Sequence, residues 1–215
     1  MAQPRRTTFI ICLGLTVALS SLNAFSQNGA QDGGWQAYGS DNGNTKYTAL
    51  DQINEDNVND LEIAWRRPAL DEYYFTLNPD QRISPTYISA AIVQDGVAYI
   101  PNGVGLVEAF DPGTGETLWR QEPFSGIAEL PGAATRGVAY WSDGDDRRII
   151  VQRGTWLYAL NAETGETYPD FGTGGRVSLQ LMPVEFERFR WGGVPMVVGD
   201  IVLIGQSMSD TFSDK

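Results

Sequence analysis

An eleven-residue stretch occurs twice in this chain, and that recurrence limits the fold more than any other feature. AFDPGTGETLW covers residues 109–119 and ALNAETGETYP covers 159–169, a separation of fifty residues. Five of the eleven positions are identical, and Asp111 is matched by Asn161. An Asp or Asn at that place can accept a hydrogen bond from backbone two residues further on, which closes a turn. Gly115 then supplies a positive φ, and Trp119 falls on the strand that follows, where a large ring can fill the gap between neighbouring sheets. Alanine at 109 lets that ring pack close to the chain.

The repeat extends upstream of the corner. Asp95-Gly96-Val97-Ala98-Tyr99-Ile100 aligns with Asp145-Asp146-Arg147-Arg148-Ile149-Ile150, and Gly199-Asp200-Ile201-Val202-Leu203-Ile204 opens a third copy. Each is a turn followed by a β-rich run, with Val, Ile and Tyr in the strands and Gly, Asp, Asn and Pro at the turns. SDGDDRR (142–148) reads as the hairpin turn into Ile149 and not as a calcium loop. A single sheet of this kind cannot bury both faces, so stacked copies stabilise one another. A period near fifty with several strands per unit predicts an all-β fold, a partial β-propeller of four-stranded blades. Pro169 stands where the second copy would carry its tryptophan, so that corner must be packed differently or capped by Phe171-Gly172.

What precedes the repeats is of another kind. Arg5 and Arg6 followed by an apolar run from 9 to 19, with Ala24 and Ser26 at cleavage-site spacing, predict a signal peptide over 1–26. Cleavage is favoured over retention as a membrane anchor, and the chain is expected to be periplasmic. Residues 27–68 predict an irregular N-terminal arm, in which Ile53, Val58 and Leu61 are spaced for a short helical turn and Trp65 lies on an extended segment. Residues 69–215 then form the blades.

Composition removes several chemistries. The chain has no histidine and one cysteine, Cys12, which lies in the leader. Ser-His-Asp catalysis, histidine-ligated zinc and disulfides are therefore excluded. Loss of Arg5 and Arg6 leaves 13 basic against 27 acidic residues, so the formal charge moves from −12 to −14. A surface so negative excludes nucleic acid as a partner and suits bound cations. FERFRWGG (186–193), although basic and aromatic, accordingly reads as a packed loop near the rim.

Trp35 to Asp41 (W-x-x-Y-G-x-D), TKYTALDQINEDNVNDLEIAWR, AFDPGTGETLW and TRGVAYW (135–141), in that order, resemble the amino-terminal portion of a pyrroloquinoline-quinone (PQQ)-dependent dehydrogenase. The closing GQSMSDTFSDK is similar to the glucose and quinate dehydrogenase branch. The resemblance implies an eight-bladed propeller with quinone and a calcium or magnesium ion on its axis. It implies hydride transfer to the quinone from a sugar, polyol or alcohol. Electrons would pass to a respiratory acceptor, quinone or cytochrome c, with association at the membrane. It further implies that this chain supplies the arm and the first two to three blades.

Three residues take roles from the resemblance. Arg136 falls where the family sets an arginine against the quinone, and a guanidinium can bond two of its oxygens at once. Ser207 matches a position that hydrogen-bonds a cofactor carboxylate. Asp210 matches an early carboxylate ligand to the metal, a hard cation that prefers oxygen donors. The sequence also departs from the family. Ile88 stands in place of a glutamate at the cofactor, Val151 in place of a threonine, and Ala133-Ala134 in place of vicinal cysteines. The catalytic aspartate base belongs to a later blade, and Glu185 and Glu187 beside Arg188 and Arg190 read as a charge-paired loop. No residue of this chain is thus expected to be catalytic, and the chain alone is expected to be inactive. The competing reading is a non-catalytic propeller scaffold of the cell envelope.

Overall fold

The computed structural model describes residues 30, 33–41, 43–83, 87–123, 135–180 and 193–205, with 189–191 and 206–208 as backbone only. Two four-stranded antiparallel sheets form its centre, each in simple up-and-down order. The first blade contains β1 (Ile92–Gln94), β2 (Val97–Pro101), β3 (Val107–Phe110) and β4 (Thr117–Arg120). The second contains β5 (Val138–Asp143), β6 (Asp146–Arg153), β7 (Trp156–Asn161) and β8 (Arg176–Ser178). The chain then builds one interrupted hairpin. β9 (Phe189–Trp191) and β10 (Met196–Val198) form one arm, and β11 (Ile201–Leu203) and β12 (Gln206–Met208) return along the other. Part of FERFRWGG is therefore paired strand and not loop.

The first turn of the first blade follows from its residues. Asp95 and Gly96 both have positive φ, 52° and 77°, as a two-residue hairpin with the right-handed twist of its strands requires. Between the two sheets lies the main core, in which Tyr99, Val107, Ala109 and Trp119 of the first blade meet Val138, Ile149, Val151 and Tyr158 of the second. Val151, at the family's threonine position, is a core residue here.

The two corners agree bond for bond. Asp111 Oδ1 accepts from the amides of Gly113 (2.7 Å) and Thr114 (2.9 Å), and Asn161 Oδ1 from those of Glu163 (2.8 Å) and Thr164 (3.1 Å). Gly115 and Gly165 each close the turn at φ 76°, their amides donating to Asp111 O and Asn161 O at 2.8 Å. Each glycine carries an indole from the preceding segment, the arm in the first case and the first blade in the second. The Trp65 ring lies on Gly115 and its Nε1 donates to Pro112 O at 2.9 Å; the Trp119 ring lies on Gly165 and donates to Ala162 O, also at 2.9 Å. Trp65 thus docks onto the first corner as Trp119 docks onto the second, a role not anticipated for the arm. Where Pro169 replaces the third tryptophan, pairing beside β7 shrinks to one bridge, Leu160 to Thr167. The chain loops out and returns only at β8, with Tyr168 and Phe171 packed against the neighbouring cluster.

A short helix that the sequence did not announce, α1 (Glu72–Leu77), stands between arm and first blade. Asp71 caps it, accepting from the Tyr73 amide, and Tyr74 is fully buried with Leu70, Val104 and Leu106 beneath it. The Tyr74 hydroxyl donates to Gln121 O at 2.9 Å. Partial burial of Asp71 works against its ionisation, but the Tyr73 amide and the Arg120 guanidinium outweigh it and hold the carboxyl below its ordinary value. A carboxyl lowered on folding stabilises above its unfolded value, ordinarily 3.8, and this contribution fades as pH falls through the folded value. Wild type should therefore exceed Asp71→Asn in urea stability at neutral pH, with the gap closing below that range.

In the arm, Val58–Asp60 forms the anticipated turn as a single 3-10 turn. Ile53, Val58 and Leu61 are nevertheless exposed, so their spacing marks no buried face among the described residues.

Candidate functional site

The first strands of the blades converge, with β1 and β10 both against β5. Their approaches meet at one place. The Ala90 amide donates to Arg136 O at 2.9 Å, and Ser89 Oγ donates to Thr135 O. A Cβ on Gly137 would lie 3.2 Å from the Val194 methyls and 3.5 Å from Ala90 O. Gly137 therefore permits close approach, but of the neighbouring blades and not of an open ligand space. Tyr87 fixes the incoming segment by donating to Pro101 O at 3.0 Å. Burial pushes its phenol up to about 12, so the proton it donates is retained at physiological pH.

Beside this junction is a cavity of about 750 Å³. Arg136 and the β5 residues Val138, Ala139 and Tyr140 line it, the hairpin lines it through Gly193 to Val197, and Ile88, ahead of β1, and Gln94, at the end of β1, supply the first blade's side. The fourth side is the arm, residues 36–44. β5 is an end strand of its sheet, so its second edge leaves backbone N–H and C=O groups unpaired by a strand. Arg136 is exposed at the cavity and makes no ion pair among the described residues. Asp41, the described acidic residue at the cavity, is engaged by Thr45, whose amide and hydroxyl donate to it at 3.1 and 2.9 Å. Tyr140 is held protonated above its ordinary range by partial burial and by the Asp95 carboxylate.

The expected site residues are distributed as follows. Arg136 and Ile88, which precede β5 and β1 and stand at positions that the resemblance assigns to the cofactor, share the cavity. Ser207 lies in β12, paired with Arg190, on the hairpin that supplies the Gly193–Val197 wall. Asp210, Glu185, Glu187 and the Ala133-Ala134 pair lie outside the described residues. The arm residues Gln36, Tyr38 and Asn44 had not been assigned to the site. Their one signal was position: Gln36 and Tyr38 lie within the W-x-x-Y-G-x-D stretch already singled out, and Asn44 follows it by three residues.

The donor set suits a flat anionic ring system. Among the described residues the cavity offers a guanidinium without an ion pair, a strand edge without a pairing strand, and aliphatic walls at Val194, Pro195 and Val197. Fold and cavity together define a blade-stacked protein with a cavity where the first strands converge. Residues 35–215 match the family model for the PQQ glucose/ethanol/alcohol dehydrogenase beta-propeller domain, and the chain belongs to that family. It is 28% identical over 210 residues to quinoprotein glucose dehydrogenase A of Acinetobacter calcoaceticus, covering 87% of this chain and 26% of that protein. It is 31% identical over 153 residues to the dehydrogenase subunit of the alcohol dehydrogenase (quinone) of Gluconobacter oxydans strain 621H, covering 66% of this chain and 17% of that one. A quinohemoprotein alcohol dehydrogenase structure from Pseudomonas putida HK5 shares the fold, with TM-score 0.56 and 24% identity over 82% of this chain and 23% of that one. The chain thus spans about a quarter, or less, of the length of these relatives. Their names divide between glucose and alcohol as substrate.

Proposed function

We propose that this chain forms the arm and first blades of an exported, periplasmic PQQ-dependent dehydrogenase of the glucose/quinate type. The whole protein would oxidise a sugar, polyol or alcohol and pass electrons to respiratory quinone or cytochrome c. The observation that carries this reading is Arg136, exposed and without an ion pair among the described residues, in a cavity of about 750 Å³ at the inner-strand starts. When bound, the quinone supplies the two-electron oxidant that accepts hydride from the substrate carbon. The chain's own contribution is to bind and orient. Arg136 pairs with carboxylate or quinone oxygens, the β5 edge offers backbone groups, and the aliphatic wall excludes water from one ring face. Ser207 as a carboxylate partner, and Asp210 as a ligand to calcium or magnesium, belong to the proposal through family resemblance.

The test is titration of pyrroloquinoline quinone into the 215-residue chain, followed by tryptophan fluorescence. Saturable binding is expected, weakened roughly 10- to 100-fold in Arg136→Ala, the scale of a lost charge-assisted hydrogen bond. No binding by either protein would overturn the reading and favour the scaffold. The chain with quinone and calcium should leave glucose and quinate unoxidised; turnover would overturn the assignment of the base to a later blade.

A further inference from the structure

The arm reaches the cavity through a single β-bridge. Trp35 pairs with Val93 across the free edge of β1, its amide donating to Val93 O at 2.8 Å and its carbonyl accepting from Val93 N at 2.9 Å. The chain then turns along the cavity in front of β5, whose own edge is open. This turn is costly to build. Ser40, Asn44 and Lys46 have φ of 80°, 54° and 54°, a region unfavourable for residues other than glycine. It is held by Lys46 N to Gly39 O at 2.9 Å, Asn44 N to Asp41 O at 3.0 Å, and Ser40 Oγ to Tyr47 O at 2.9 Å. Ser40 and Gly39 are buried within the turn, whereas Gln36 and Asn44 are exposed on the cavity side. The Asn44 carboxamide lies over Gly39, where any side chain would collide with it.

At the Ile88 position the cavity has an aliphatic side chain, which offers a ligand no polar partner. The carboxamides of Gln36 and Asn44 are polar groups on the facing wall, and each brings two N–H donors. We infer that Gln36 and Asn44 on the arm turn are ligand-binding residues for the quinone. They would hydrogen-bond its oxygens on the side away from Arg136. This inference rests on the proposed function. A planar ring bearing carboxylates then lies between the arm carboxamides and the guanidinium, with the β5 edge beside it.

Two measurements on the full chain test this. In the fluorescence titration, Gln36→Ala and Asn44→Ala should each weaken pyrroloquinoline quinone about three- to tenfold, the scale of one neutral hydrogen bond. Gln36→Ala sits at an exposed position and should keep the wild-type melting temperature, and Asn44→Gly, which removes the carboxamide while suiting φ 54°, should match Asn44→Ala in binding. In ¹H–¹⁵N spectra the Trp35 indole, which donates to Tyr38 O within the turn, should shift on quinone addition. A wild type that binds, with Arg136→Ala weakened but both arm variants and the Trp35 resonance unchanged, would overturn this inference and leave the proposed function standing. Failure of the wild type to bind would overturn both.

Discussion

Trp119→Ala is expected to lower stability by about 3–5 kcal/mol, as large-to-small changes at well-packed aromatic sites do. The indole is 9% exposed and sits in the core shared by the two blades. On one side it faces Ala109 in register, and on the other it covers Gly165 and donates to Ala162 O at 2.9 Å. Removing it opens a cavity and leaves a buried carbonyl without its donor, so both losses add. Gly165→Ala attacks the same contact from below. Its φ of 76° costs a side chain about 1–2 kcal/mol, and a Cβ there would fall 2.9 Å from Trp119 Cδ2. Urea midpoints should fall together for the two variants, and the double variant should cost less than their sum because the contact is shared. Trp65→Ala, which removes a more exposed ring from the equivalent place, should cost less. A Trp119→Ala loss below about 1 kcal/mol would show that the stacked corner does not couple the blades.

This contact also marks what could be read from residues alone. The Asp/Asn side-chain turn, the positive-φ glycine and the indole between sheets were all written into an eleven-residue repeat, because each is set by local chemistry. The docking of Trp65 was not recognised, although it precedes Trp119 by nearly the period of the corners. The arm around it has no β alternation, so nothing local gave it a blade's role. α1 was missed because EYYFTL is barely more than one turn, rich in residues that lose side-chain freedom in helices. It exists because Tyr74 has a buried place beneath it and Asp71 a cap to supply.

The site divides in the same way. Arg136 could be singled out because it lies within TRGVAYW, a resemblance-bearing stretch that runs into β5, and the structure sets it at the cavity. The arm wall was not, since it depends on Trp35 pairing with Val93, a backbone contact between segments far apart in sequence that leaves no pattern in either. The tight approach at Gly137 was not legible either, since the group that meets it, Val194, lies on a hairpin far along the chain.

Arg67→Met should cost about 3–5 kcal/mol, comparable with Trp119→Ala but by another route, since it strands a buried carboxylate. Arg67 pairs with Glu108 at 2.9 Å, and the Glu108 side chain is 3% exposed. Its remaining described partner is Asn102 Nδ2, also at 2.9 Å. Asn102 itself is committed to the loop before β3, accepting from the amides of Val104 and Leu106 through its Oδ1. Arg67 meanwhile donates to Gly115 O and Thr117 Oγ1 and lies over the Phe110 ring, 4.6 Å from its centroid. One guanidinium thus joins the arm, the first corner and the buried loop. Glu108→Gln keeps the shape and the Asn102 contact while removing the charge, so it should cost less than Arg67→Met. If the penalty comes from an unpaired charge and not from lost packing, Arg67→Met/Glu108→Leu should regain at least half of it. That outcome is expected because paired apolar replacements often match a buried ion pair. A double variant as unstable as Arg67→Met alone would instead place the energy in the guanidinium's contacts with Gly115, Thr117 and Phe110, and so in the clasp between arm and blade.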